Sequence, residues 1–180
     1  ECLTAAEFPL PRLSSKIRGL REVLEGGRGF IVLHGIPVDR FNLEEAKVLH
    51  WGFGQYLGYP EPQDKAGKLL HVVTDTGANV ETTDNIRSFQ TNDELTFHTD
   101  GADVFALLCI RPARTGGGSR LVSSTAIYNE LLRRDHKLAA ILVKPFHFDA
   151  RAQNPWEQKI QTVPIFTLHN GMVSALYKRR

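Results

Sequence analysis

The chain is poor in cysteine, in long apolar runs and in charge of one sign, and each shortage excludes a class of protein. Its 180 residues include two cysteines. Cys2 and Cys109 lie far apart, and Cys109 falls inside an apolar run, where burial as a small hydrophobe is expected. A disulfide framework is therefore not indicated, and a reducing compartment, the cytoplasm, fits better. The longest unbroken apolar run is Val104 to Ile110, far short of the ~20 residues a membrane helix needs. Twenty-two Lys plus Arg face 20 Asp plus Glu, a net charge of +2. The two signs are mixed along the chain, so neither nucleic acid nor a membrane surface is indicated as a partner. No signal-peptide pattern opens the sequence. It starts at Glu1 and ends on Lys178-Arg179-Arg180, as expected of a trimmed or incomplete chain.

What is present is a core and a solvated surface. With 42% apolar and 23% charged residues, disorder and low complexity are excluded, and the length suits one domain. Ser14 or Ser15 is positioned to cap a helix carrying Ile17, Leu20, Val23 and Leu24, which Gly26-Gly27 ends. Asn42-Leu43-Glu44-Glu45 is a capping box, opening a helix that places Leu43, Ala46, Leu49, Phe53 and Leu57 on one face and stops at Gly58-Tyr59-Pro60. Short strands are predicted at 28–33, 69–73, 94–98, 104–110 and 119–123, with Gly116-Gly117-Gly118 as a turn. A helix is predicted over 124–134. Strands follow at 143–148, 161–168 and 172–177, the last two joined by a hairpin turn at His169-Asn170-Gly171. Strands after a helical opening predict a mixed α/β, mainly β fold: a jelly roll with helices packed outside it.

Several chemical signatures are missing. There is no phosphate-binding GxxxxGK[ST] loop, no complete dinucleotide fingerprint, no GxSxG elbow and no CxxC pair. Histidine beside carboxylate remains, in His98-Thr99-Asp100 and in His147-Phe148-Asp149. Alternate residues of an extended segment project to one face, so an imidazole and a carboxylate at this spacing converge on one cation. That donor pair suits non-haem Fe(II), whose facial triad is two imidazoles and one carboxylate. Context separates the two tripeptides. His98 and Asp100 lead into the apolar run 104–110, whereas His147 and Asp149 enter a loop around Asn154-Pro155 and read as surface or loop-anchoring residues.

The segment Pro112-Ala113-Arg114-Thr115-Gly116-Gly117-Gly118-Ser119-Arg120-Leu121 follows at short range and leads into the helix with Tyr128, Glu130 and Leu131. With Phe97 to Asp100, the Leu107-Leu108-Cys109 strand and the opening Gly29-Phe30-Ile31-Val32-Leu33-His34-Gly35, it resembles the TauD/TfdA family of Fe(II)- and 2-oxoglutarate-dependent dioxygenases. The resemblance implies a double-stranded β-helix of the clavaminate synthase-like kind, as a single domain over 1–180 whose C-terminal part is missing. It implies His98 and Asp100 as catalytic iron ligands and Ser119 as a contact of the 2-oxoglutarate C1 carboxylate, in a position where the family often has threonine. Ser88, Gln90 and Asn92 would border the pocket of a small-molecule substrate. Fe(II) would be the cofactor, with 2-oxoglutarate and O2 as cosubstrates, and a carboxylate at Asp100 argues against a halogenase.

The family's second histidine ligand and its C5-carboxylate arginine lie beyond the strand ending near Tyr177. His169 in its turn and Arg179 and Arg180 do not replace them, so these 180 residues alone are not expected to turn over. Two rivals remain: a degenerate jelly roll that only binds a small molecule, and a zinc hydrolase using His98, Asp100 and His147.

Overall fold

In a computed structural model, residues 3–64, 66–77, 88–149 and 160–178 are described. The chain divides into two compact units, Glu1–Glu61 with Ala102–Ser123, and Pro62–Gly101 with Ser124–Arg180. Each is described by itself.

In the first unit, α1 (Ser14–Glu25) starts without a side-chain cap, Leu13 holding the N-cap position. The serine cap expected from the sequence is absent because the preceding turn does its work. The Leu10 carbonyl accepts from the amides of Leu13 and Ser14, both at 2.9 Å, so these amides are not left bare. The helix ends as expected, with the Gly26 amide donating to Glu22 O. In α2 (Leu43–Gly54), Asn42 accepts from the Glu44 and Glu45 amides while Glu45 reaches back to the Asn42 amide, the full capping box. Ala46 is buried, but Leu43 is 46% exposed, so the buried face begins one turn later than its apolar spacing suggests.

The N-terminal segment is strapped to α2. Trp51 Nε1 donates to Leu3 O at 2.7 Å. The Tyr56 hydroxyl donates to Phe8 O at 2.8 Å and accepts from the Leu10 amide at 3.1 Å. Gly52 is buried against the Phe8 ring, which lies where a Cβ on residue 52 would be.

The second unit holds α3 (Ser124–Arg134), α4 (His136–Leu142) and two antiparallel hairpin-like pairs. Strand β1 (Pro145–Asp149) pairs with β2 (Ile160–Pro164), His147 opposite Thr162. Strand β3 (Phe166–His169) pairs with β4 (Met172–Ala175), His169 opposite Met172. The two-residue turn between them has Asn170 at φ 49° and Gly171 at φ 77°. That left-handed pair is what a tight hairpin demands and what Asn-Gly supplies. Tyr128, Ala139 and Phe166 form the core of this unit, covered by Leu131, Leu142, Val143, Ile165, Val173 and Ala175. The Tyr128 and Phe166 rings meet at 5.2 Å and 53°, a tilted pairing that adds about 0.5–1.5 kcal/mol beyond burial.

Five of the predicted strands, at 28–33, 69–73, 94–98, 104–110 and 119–123, carry no sheet ladder. Apolar alternation chooses a face for a strand but not its neighbour, and a ladder exists only where another strand supplies its amides and carbonyls. Among the described residues the sheets are these two small antiparallel pairs, and no closed barrel forms. Cys109 is correspondingly exposed rather than buried, with Val104, Phe105 and Leu107 exposed around it. No described helix is long and apolar enough to cross a membrane.

Replacing Gly52 by alanine puts a methyl group into the Phe8 ring, an overpacking cost of about 1–3 kcal/mol. Thermal or urea unfolding should register that loss, together with easier proteolysis of the N-terminal strap. A Gly52→Ala protein as stable as the parent would show that Phe8 does not pack on α2.

Candidate metal centre

The two candidate ligands belong to the second unit, on a ladder-free segment running into Gly101. His98 Nδ1 lies 2.7 Å from the carbonyl oxygen of Thr96. A carbonyl only accepts, so Nδ1 is the donor here, and in the neutral form of the ring Nε2 then holds the lone pair a cation would take. A metal-binding imidazole is typically held in this way, its second nitrogen tied to an acceptor that fixes tautomer and ring orientation. Nε2 stands 3.9 Å from Asp100 Oδ1. That is too long for a hydrogen bond, so neither group is consumed by the other. Cis donors each about 2.1 Å from one cation stand roughly 3 Å apart, so these two exposed side chains would have to close by about 1 Å to share it. Both side chains are open to solvent, at 36% and 51% exposure, so a cosubstrate can reach them.

Thr99, between the ligands, is engaged elsewhere. Its amide donates to Tyr177 O at 2.8 Å, and its hydroxyl accepts from the Tyr177 amide at 2.9 Å. The side chains at i and i+2 thus lie near each other, while the intervening residue is bonded to another part of the chain.

One neutral imidazole and one carboxylate fit Fe(II) as two of the three facial-triad donors. Among the described residues no group of three His, Cys, Asp or Glu is placed to hold an ion. His147 does not join His98 and Asp100. It sits in β1, within the strand expected at 143–148, with Nδ1 3.2 Å from Thr162 Oγ1. Its role is a cross-strand hydrogen bond on an exposed face. His169 ends β3 at the hairpin turn, with Nε2 3.1 Å from Asn170 Nδ2. The three-ligand zinc centre of His98, Asp100 and His147 is not formed.

The remaining predicted site residues are spread over both units. Ser119 is exposed, next to Gly118 in the first unit. Ser88 and Gln90 bound a short 3-10 turn, Ser88–Gln90, in the second. The Gln90 carbonyl accepts from the Thr76 amide and hydroxyl, each at 2.9 Å. The Thr74 amide donates to Phe89 O at 3.1 Å, so this turn is stitched to the segment 74–76. Asn92 is exposed just beyond it.

Sequence reasoning missed a second histidine–carboxylate contact beside this turn. His71 Nε2 lies 3.3 Å from Asp64 Oδ2, and the His71 ring packs on Phe89 at 5.0 Å. Nε2 is buried without an aligned hydrogen bond, so the contact is electrostatic in character, strongest when the ring is protonated. Asp64 is held below the ordinary carboxylate range chiefly by the Lys68 amide, with the Ala66 amide and the charge of His71 helping. The available signal was Asp64 followed by Ala66, Gly67 and Lys68, a side chain positioned to collect the amides of its own turn. Burial likewise pushes the His50 imidazole of α2 below its usual value, opposed by a hydrogen bond to the Ala106 backbone.

A ladder-free segment thus presents an imidazole and a carboxylate side by side, two of the donor types that a mononuclear non-haem iron centre uses. The chain matches the taurine catabolism dioxygenase TauD, TfdA family over residues 1–179, and it belongs to that family. It is 32% identical over 170 residues to FR-33289 synthase of Streptomyces rubellomurinus (strain ATCC 31215), an overlap of 94% of this chain and 50% of the relative. It is 32% identical over 136 residues to the taurine hydroxylase-like protein SAT17 of Stachybotrys chartarum (strain CBS 109288 / IBT 7711), covering 72% of this chain and 35% of that protein. The chain thus spans about half the length, or less, of the curated relatives it matches. Members of the family are generally Fe(II)- and 2-oxoglutarate-dependent.

Anaerobic Fe(II) titration should show that His98→Ala and Asp100→Ala each weaken binding by roughly tenfold or more, because each removes a donor. Unchanged affinity in both variants would remove these residues from the metal centre.

Proposed function

We propose that this chain is the metal-binding part of an Fe(II)- and 2-oxoglutarate-dependent dioxygenase that oxidises an unactivated C–H bond of a small molecule. The observation that carries the reading is the pairing of His98 Nε2 with the Asp100 carboxylate, with Nδ1 committed to Thr96. Family membership supports the same chemistry. The names of the two relatives, a synthase and a hydroxylase-like protein, favour hydroxylation as the default outcome.

The balanced reaction is R–H plus 2-oxoglutarate plus O2 giving R–OH, succinate and CO2. Bound Fe(II) supplies the O2 activation that couples the two oxidations. The chain's own residues supply the frame for it. His98 donates a nitrogen lone pair in a fixed tautomer, and Asp100 adds the negative charge that favours a divalent cation. Ser119 carries the hydroxyl assigned to the cosubstrate's C1 carboxylate, since a hydroxyl can donate to that anion. Ser88, Gln90 and Asn92 border the substrate pocket in this reading. The Gln90 carbonyl is tied to Thr76, so its backbone has a fixed place from which the side chain can act. The whole protein closes into the family's jelly roll, with the third metal ligand and the cosubstrate arginine supplied outside the described residues. The mixed surface charge and the shortage of cysteine suit a cytoplasmic enzyme without nucleic-acid or membrane partners.

The test is succinate formation from 2-oxoglutarate by the full-length protein under Fe(II), ascorbate and air. His98→Ala and Asp100→Ala should each lower it by roughly a hundredfold or more, as losing a metal contribution of several kcal/mol implies. Absence of succinate from a metal-loaded parent would favour the jelly-roll binding module instead.

A further inference from the structure

Thr99 bears none of the metal-ligating groups, yet it is the residue of the tripeptide with the most specific bonding. Its amide donates to Tyr177 O at 2.8 Å, while the Tyr177 amide donates to Thr99 Oγ1 at 2.9 Å. In an antiparallel pair a residue would return its own backbone carbonyl to the partner's amide. Here the side-chain hydroxyl takes the place of that carbonyl. The Thr99 hydroxyl also donates a long bond to Tyr177 O at 3.5 Å, so the contact is a clamp centred on one residue, and every bond beyond the Thr99 amide's depends on the identity of the side chain.

The other end of the clamp is anchored. Tyr177 follows β4 closely, and the neighbouring Leu176 amide donates to Ile165 O at 2.9 Å. Ile165 adjoins Phe166, which is 4% exposed and packs on Tyr128. A continuous path of bonds and contacts thus runs from the core of the second unit to the peptide between the two ligands. Without it, the stretch 94–100 has no ladder to hold it, and the ligand pair would have to be ordered at the expense of metal affinity.

We propose that Thr99 is a positioning residue for the metal centre, its hydroxyl locking the His98–Asp100 peptide to Tyr177 so that both ligands face one cation. The inference rests on the metal-site reading and adds a determinant to it: the side-chain oxygen of the residue between the ligands. Serine retains that oxygen. Valine retains the branched shape and extended preference but removes the acceptor.

The experiment uses the full-length protein and Co(II) alone as probe, read by its ligand-field absorption, with amide hydrogen exchange at Tyr177 followed without metal. In the parent the Tyr177 amide should exchange slowly. Thr99→Val should speed that exchange and weaken Co(II) binding roughly threefold to tenfold, the scale of one lost hydrogen bond, while Thr99→Ser stays near the parent. Equal losses in the valine and serine variants would overturn the role of the hydroxyl. Parental Co(II) affinity in Thr99→Val, with His98→Ala much weaker, would overturn the proposal and leave the metal site standing. Parental affinity in His98→Ala would overturn both. Should the valine variant not fold, fast Tyr177 exchange in the parent would by itself refute the clamp.

Discussion

The geometry of the candidate site depends on one register: the pairing of Thr99 with Tyr177. An extended backbone sends alternate side chains to opposite sides. Fixing the middle residue of His98-Thr99-Asp100 therefore fixes where both neighbours point. The bonds come from a segment distant in sequence that is itself tied to a buried aromatic pair, Tyr128 and Phe166. The Thr96 carbonyl then orients the His98 ring within that frame. Core packing, register and the orientation of the two candidate side chains form one chain of dependence, and its weakest links are the exposed hydrogen bonds at Thr99 and His98.

Local signals in the sequence were read correctly where they are self-sufficient. The capping box at Asn42, the helix 124–134 and the Asn170-Gly171 turn each specify their structure through neighbouring residues. Helix α4 was missed although Asp135 caps it, accepting from the Lys137 and Leu138 amides, because the helix is short and its apolar residues run straight on from α3. The HxD spacing was legible because alternation is a property of the backbone alone. The Thr99–Tyr177 contact was not, since nothing local in either residue names the other.

The unpaired strands show the same limit from another side. Val104, Phe105, Leu107, Leu121 and Val122 are exposed within the first unit. The β-branched Val104 and Val122 and the aromatic Phe105 suit a sheet, but a sheet needs partners. The relatives are about twice as long as this chain or longer, and family membership extends over nearly all of it. The apolar run 104–110 that suggested a buried strand, and with it a buried Cys109, describes a face whose covering strands do not occur among the described residues. A burial argument from composition holds only when the covering layer is part of the same object.

Anomalous diffraction at the iron edge, from crystals of the full-length protein grown anaerobically with Fe(II), tests the central claim most directly. The account expects one iron peak within bonding distance of both His98 Nε2 and Asp100 Oδ1, with Nδ1 still on the Thr96 carbonyl. A fully occupied iron bound elsewhere, or one that touches neither residue, would contradict it.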